Sequence, residues 1–577
     1  MFKCFSKSEQ NPTLTQDLLP EQHSEHSQVQ IEHSSRLFVQ LVNVAGSSFP
    51  FDFAVSFAAF LMSLVLFKEL PEDDAPVVLQ MTVAASNIFR IIFQGFVLPA
   101  FAHQGLQFCD SNKLTSIDQT EFSSSMAALL KIGSLSAVCA AAFLSVTPFI
   151  YGLTGVSPRL VKESYGYVAI AIPALILQIV NFGLQQTLVT MAKKTRMIYS
   201  ALIQMVCNVL PLLLLLILGN PLSSVSTLIE IPAITLFANI VLFLTNMSYF
   251  YHKNVLLSPY NYASELYQEK IASQFKTFRN IGFSIFLQLL SELGILYIQP
   301  FLVLLVAVLS NSDKDSVLTQ LGAAGVLNLF TIIFAITFSI AAGNAVSAQT
   351  NQLKVNNDDD VYYTNIRSII KQSVAVMLVL SVVLFGGLTT IAPYITNLFY
   401  REGDIDAGPL SNPYMFMSVI AVGTILDYLR NLALFILRSF NINTYGTFSS
   451  YLCLWGVNIP LIVMVSYLYK DAGVFAILIP YYVSIATGAA MLWSQLFKCT
   501  YNNEVMQLLV LEDPDTLKQH EFSWPSCCHN QHGLFGRDSE TRRSSGGFSL
   551  PEVEEEHTEE AEEKRAEENL YSISHDV

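Results

Sequence analysis

Along most of its length the chain alternates long apolar runs with short polar breaks. Twelve runs stand out, at roughly 37–67, 76–102, 121–150, 161–190, 196–219, 227–251, 275–309, 317–349, 365–399, 410–437, 444–469 and 473–497. A helix rises 1.5 Å per residue, so about 20 apolar residues cross a hydrocarbon layer of about 30 Å. The runs meet that length and predict twelve transmembrane helices. The expected fold class is an all-α polytopic membrane protein. Residues 1–36 and 499–577 fall outside the runs and are expected to be cytoplasmic and mostly disordered.

The longest polar break, 252–274, divides the twelve runs into two sixes, an N-lobe at 37–251 and a C-lobe at 275–498. The halves resemble each other at an offset of about 249 residues: Leu188 falls on Leu437, Thr195 on Thr444 and Pro211 on Pro460. Equal helix counts in the same orientation predict two six-helix lobes related by pseudo-two-fold symmetry along the membrane normal. Ligands in such folds usually sit between the repeats near the bilayer midplane.

Composition supports the membrane reading through its lack of charge. The 577 residues are 52% hydrophobic but only 13% charged, against about 25% charged in soluble domains. The net charge of −15 gathers after Val510, above all in Glu554–Glu568. It therefore says little about a substrate, and nucleic acid is not an expected partner. Eight cysteines are scattered without zinc spacing or a disulfide framework. Cys527, Cys528, His529 and His532 are read as part of a flexible tail. No phosphate-binding loop or nucleophile elbow is present, so no enzyme activity, ATP-driven pumping or cofactor is expected.

Lys and Arg set the orientation. Lys193, Lys194 and Arg196 follow the fourth run, Lys253, Lys270, Lys276 and Arg279 the sixth, and Lys354, Arg367 and Lys371 the eighth. The intervening breaks, such as Glu69–Asp74, are acidic or neutral, with Arg159, Lys162 and Arg401 as exceptions. This places both termini in the cytoplasm. Because the first 36 residues are polar, no cleavable leader is expected.

Polar side chains within the runs are the candidate chemistry. A charge at the centre of a spanning helix costs about 2.5–3.5 kcal/mol, so it is read as functional and needs a partner. Pro409–Leu437 carries Asp427, Arg430 and Asn431, and Ile281–Leu309 carries Glu292. Glu292 and Asp427 are the leading cation- or substrate-binding pair, because a buried carboxylate needs a proton, a sodium ion or an organic cation. Their structural alternative is a set of hydrogen bonds between helices. Arg430 lies three residues after Asp427 on the same helical face. It is a candidate counter-ion that takes the place of sodium and favours an anionic or zwitterionic substrate.

The first half offers Asp52, beside Pro50, with Arg90 as its candidate counter-ion; a coupling site and a structural pair both fit. Asn208 is either a carbonyl ligand or a helix–helix contact. Gln178, Asn181 and Gln185 share a face, lining a cavity or joining helices. The 40 Phe and 24 Tyr are read mainly as lipid contact and interfacial belts.

Two stretches carry a family resemblance. They are "TPFIYGLTGVSPRLVKESYGYVAIAIPALILQIVNFGLQQTLVTMAKKTRMIYSALIQMVCNVLPLLLLL" and "ILDYLRNLALFILRSFNINTYGTFSSYLCLWGVNIPL". Both resemble the MATE family, the multidrug and toxic compound extrusion transporters, within the wider multidrug, oligosaccharidyl-lipid and polysaccharide exporter superfamily. "GFSIFLQLLSELGILYIQP" is similar to the seventh helix of the sodium-coupled bacterial branch, which implies that Glu292 and Asp427 bind H+ or Na+. Asp52 does not fall cleanly on the acid that many members carry in their first helix, and Arg430 departs from the family pattern.

The resemblance implies a secondary antiporter that exports organic, chiefly cationic, compounds by alternating access. A small molecule and membrane lipids are its implied partners. Two alternatives stay open: a lipid-linked precursor flippase, with Arg90 and Arg430 in its favour, and a membrane-anchored effector or scaffold. The tail "EVEEEHTEEAEEKRAEENLYSISHDV" resembles Glu-rich secretion signals of type IV systems. It implies a protein partner or secretion machinery and a host membrane as the location; otherwise a bacterial inner membrane is expected.

Overall fold

The computed structural model describes residues 45–46, 49–66, 68, 116–153, 158–190, 194–218, 227–252, 265–310, 314–356, 360–398, 412–440, 442, 444–470, 472–501 and 506. All regular structure among them is helical. Eleven of the twelve apolar runs are helices, and the second, 76–102, lies outside the described residues together with Arg90, residues 1–36 and the tail beyond 506.

The first half contains α1 (Phe49–Leu66), α2 (Ser116–Leu153), α3 (Pro158–Thr190), α4 and α5 (Thr227–His252). Helix α4 runs from Lys194–Gln204 through a π-helical turn, Met205–Val209, into Leu210–Leu218. The second half contains α6 (Glu265–Ser310), α7 (Lys314–Asn356), α8 (Asp360–Leu398) and α9 (Pro413–Ser439). Helix α10 joins Thr444–Tyr451 through a π-helical stretch, Leu452–Asn458, to Ile459–Leu468, and α11 is Phe475–Tyr501. Nine of these helices are long and apolar enough among the described residues to cross a membrane, and α2 and α6 contain the shorter apolar segments Ala141–Ile150 and Phe301–Ser310.

The seventh run's helix starts well before its expected position. The break at 252–274 was expected as a loop, but α6 is already helical from Glu265. The segment "ELYQEKIA" consists mostly of residues that lose little rotamer freedom in a helix. Ile271 is buried in the same apolar core as α1 and α3, and that burial fixes the extra turns.

Helix ends follow local chemistry. Asn412 accepts the Met415 N–H at 3.2 Å, and Pro413 starts α9 where a missing N–H costs nothing. Arg367 of α8 donates to the carbonyls of Thr500 and Tyr501 at 2.8 and 2.9 Å, closing α11. Gly473 turns the chain between α10 and α11 at φ 52°, a left-handed conformation that only glycine takes without steric cost.

Helix α3 packs on α2 and α5, while α9 packs on α7, α8 and α11. The halves meet where α6 packs on α2 and where Phe53, Phe57 and Phe60 of α1 surround Phe330 of α7. Helix α9 is central, with 72% of its spanning window buried, whereas α8 has 17% buried. The outward face of α8 presents Leu378, Val379, Val382, Val383 and Phe385, a stripe suited to lipid contact. Asp427, Arg430 and Arg438 thus lie buried on a helix that is largely enclosed by its neighbours.

Candidate functional site

The periodicity of α9 builds the site. Asp427, Arg430, Asn431, Leu434 and Arg438 lie at spacings of three and four residues, so they share one face. All five are buried. Glu292 of α6 faces them, half-buried, with Gln288 one turn before it.

Arg430 stands between the two acids. One guanidinium nitrogen, Nη2, forms an ion pair with Glu292 Oε1, and Nη1 lies 3.6 Å from Asp427 Oδ1. Asn431 Nδ2 donates to the same Asp427 oxygen at 3.2 Å. Gln288 Nε2 donates to Glu292 Oε1 at 3.2 Å. Its other end, Oε1, accepts from Arg438 Nη2 at 3.0 Å. A continuous chain therefore runs Arg438–Gln288–Glu292–Arg430–Asp427–Asn431. Two carboxylates meet two guanidinium groups, so this centre is formally neutral among the described residues.

Close packing holds the α6 side. Trp455, in the π-helical stretch of α10, donates from Nε1 to Ser291 Oγ at 3.1 Å. Its ring lies so close to Gly294 that an added Cβ would come within 2.6 Å of it. Glu292 is therefore flanked by a hydrogen bond on one side and a ring contact on the other. One turn beyond Trp455, Asn458 is buried and its Oδ1 has no partner among the described residues. A second polar seam joins α9 to α7, where Tyr428 donates to the Thr331 carbonyl at 2.6 Å and Thr424 donates to Asn328 Oδ1 at 3.4 Å.

The first-half candidates do not join this centre through any hydrogen bond or ion pair among the described residues. Asp52 is buried and accepts from Thr337 Oγ1 of α7 at 2.9 Å, a direct polar link between the halves. The expected pairing of Asp52 with Arg90 lies outside the described residues. Asn181 Nδ2 donates to the Asn239 carbonyl of α5 at 2.9 Å. Asn208 Nδ2 donates to Gln204 Oε1 at 3.2 Å, and its Oδ1 accepts from Thr235 at 3.4 Å. Gln178 is half-buried. Gln185 is buried with both amide atoms unpartnered among the described residues.

Sequence reasoning missed four contributors. Gln288 was detectable one turn before Glu292, and Arg438 was detectable two turns after Arg430 on one face. Thr337 and Trp455 carry no sequence signal, since their roles depend on which helix lies opposite. The internal repeat extends into the backbone: both π-helical stretches fall in the fifth and eleventh runs, next to Pro211 and Pro460. Each holds a buried Asn, Asn208 and Asn458. Such wide turns are rare and often occur at functional sites. At the repeat offset Gln178 falls on Asp427 and Asn181 on Arg430, so neutral amides occupy in one half the positions of an ion pair in the other.

Among the described residues no group of three or more His, Cys, Asp or Glu side chains could hold a metal ion. No protein-family profile matches the chain, and no curated protein matches it. Solved structures do. A eukaryotic MATE transporter, AtDTX14, superposes with a TM-score of 0.60 at 14% identity, covering 82% of this chain and 98% of that one. A transporter of the MOP superfamily from Pyrococcus furiosus, described by the reverse polarity of its binding pocket, gives 0.60 at 12%, covering 81% and 97%. An outward-facing multidrug resistance MATE transporter gives 0.61 at 11%, covering 81% and 97%. Identities this low speak for architecture alone, and the architecture is clear: this chain has the MATE transporter fold.

Proposed function

We propose that the protein is a secondary transporter that moves small organic compounds across a membrane by rocking its two halves. The observation that carries this reading is the buried centre on α6 and α9, set within a helical bundle of the MATE fold. Buried charge on a central, lipid-shielded helix is costly, and a helix contact alone would be served as well by apolar packing. Glu292 and Asp427 are the proposed binding acids, and exchange against H+ or Na+ is the finer proposal. Competition at one site gives exchange, because each ligand disfavours the other. The acid pair makes organic cations the first solutes to test.

Two features support movement between the halves. The Asp52–Thr337 bond and the Phe330 cluster lie where α1 meets α7, so any rocking must work on them. The π-helical turns of α4 and α10 interrupt regular helices at equivalent places.

Purified protein in lipid vesicles should accumulate labelled organic solutes in exchange for protons or sodium, with cationic and zwitterionic solutes compared side by side. Uptake should drop at least about tenfold, or roughly 1.4 kcal/mol, in Glu292→Gln and in Asp427→Asn. Unchanged uptake in both variants would remove the assigned site, and no uptake of any solute by folded protein would remove the transport reading. A flippase for anionic lipid-linked precursors draws support from Arg430 and Arg438, but Arg430 is paired with Glu292 and Asp427 and Arg438 donates to Gln288.

A further inference from the structure

The donors around Glu292 and Asp427 do not suit a sodium ion. Arg430, Asn431 and Gln288 all turn N–H groups toward the two carboxylates, whereas a hard cation needs oxygen ligands. Arg430 reaches both acids from within the chain. A tethered group competes at a high effective concentration that a free ion must exceed. We propose that Arg430 is a built-in counter-cation that makes this site indifferent to sodium and directs it to zwitterionic rather than purely cationic ligands. The inference rests on the transport reading of the same site and narrows it.

The ligand class follows from charge balance. Glu292, Asp427, Arg430 and Arg438 already sum to zero. A lone organic cation that entered between the acids would expel the guanidinium and leave one excess positive charge buried. An uncompensated buried charge is strongly unfavourable. A zwitterion avoids that excess. Its cationic end takes the place of the guanidinium between Glu292 and Asp427, and its anionic end meets the released Arg430. Guanidinium suits this role, because its fork of donors matches a carboxylate or phosphate and its charge is permanent. The repeat supports the same balance. Where the second half has the acid and the arginine, the first half has Gln178 and Asn181, and both pairs are neutral.

The test uses a matched pair of probes, glycine betaine and choline, which share a quaternary ammonium head and differ in having a carboxylate or a hydroxyl. The thermal unfolding midpoint of the purified full-length protein is followed in detergent with each probe, and with sodium or potassium chloride. A ligand that binds only the folded state raises the midpoint. Betaine should act at concentrations about tenfold below those needed for choline, and sodium and potassium should give the same curve. Choline equal to or better than betaine, or no shift with betaine, overturns the ligand class. A sodium-specific shift of the wild type overturns the built-in cation.

Arg430→Gln should reverse the pattern, with sodium and choline now stabilising and betaine losing its advantage; an unreversed pattern in folded variant also overturns the proposal. If that variant does not fold, the wild-type comparisons decide alone. Vesicle uptake is scored separately. Uptake that is sodium-driven or that prefers choline sinks this inference and leaves transport standing. Absence of all uptake sinks transport, whatever the binding curves show.

Discussion

The two halves share a backbone plan and differ in how they stabilise buried polar groups. On α3, α4 and α5 of the first half the described hydrogen bonds link neutral groups: Asn181 bonds to Asn239, Asn208 to Gln204 and Thr235, and Ser200 to Asn246. In the second half the equivalent helices carry Asp427 and Arg430, completed by Glu292, Gln288 and Arg438. The π-helical turns occur in both, so the two halves share this backbone feature while their buried chemistry differs. Neutral amides join helices at modest cost and modest gain. Paired charges are stable only while every partner stays in place, and a ligand can exploit that dependence.

The contrast can be broken most severely at Arg430. Arg430→Met leaves Glu292 and Asp427 without their shared partner and should destabilise the protein by about 3–5 kcal/mol, the usual effect of stranding a buried charge. Unfolding in detergent measures it. Copying Gln178 and Asn181 of the first half, with Asp427→Gln and Arg430→Asn together, should recover most of that loss while abolishing uptake. A double variant as unstable as Arg430→Met would show that the halves differ in packing as well as in charge.

A smaller effect is expected at the wall of the charged centre. Gly294→Leu places a side chain where the Trp455 ring already lies. Overpacking of this kind costs about 1–3 kcal/mol. Trp455 fluorescence should shift as its hydrogen bond to Ser291 is lost, and an unshifted spectrum would count against the contact. The smallest effect belongs to the amide contacts of the first half. Asn181→Leu should cost about 0.6 kcal/mol, the average for a hydrogen bond between membrane helices, with uptake near wild type. A large loss of uptake would make Asn181 part of the binding site and weaken the contrast.

Much of the architecture was legible because the bilayer imposes a length on every spanning helix. Eleven of the twelve runs became helices among the described residues, most starting within a few positions of the expected residue. The start of α6 was misplaced because polar residues can be either loop or solvated helix, and only the contact of Ile271 with the core separates the two. The candidate site was half legible. Asp427 and Arg430 were visible as charges three residues apart, and Glu292 as a lone acid in an apolar run. That one guanidinium reaches both acids depends on how α6 and α9 face each other.

The sequence alone determined what physical chemistry makes local: the helices, their caps, the internal repeat, and the presence of charges that hydrocarbon does not tolerate unpaired. Tertiary structure decided the pairing. It set Arg430 between acids 135 residues apart in the chain, drew Gln288 and Arg438 into the same network, and linked Asp52 to Thr337 across the halves. Periodicity places a residue on a face of its own helix, whereas its partner depends on the rotation and register of the helix opposite.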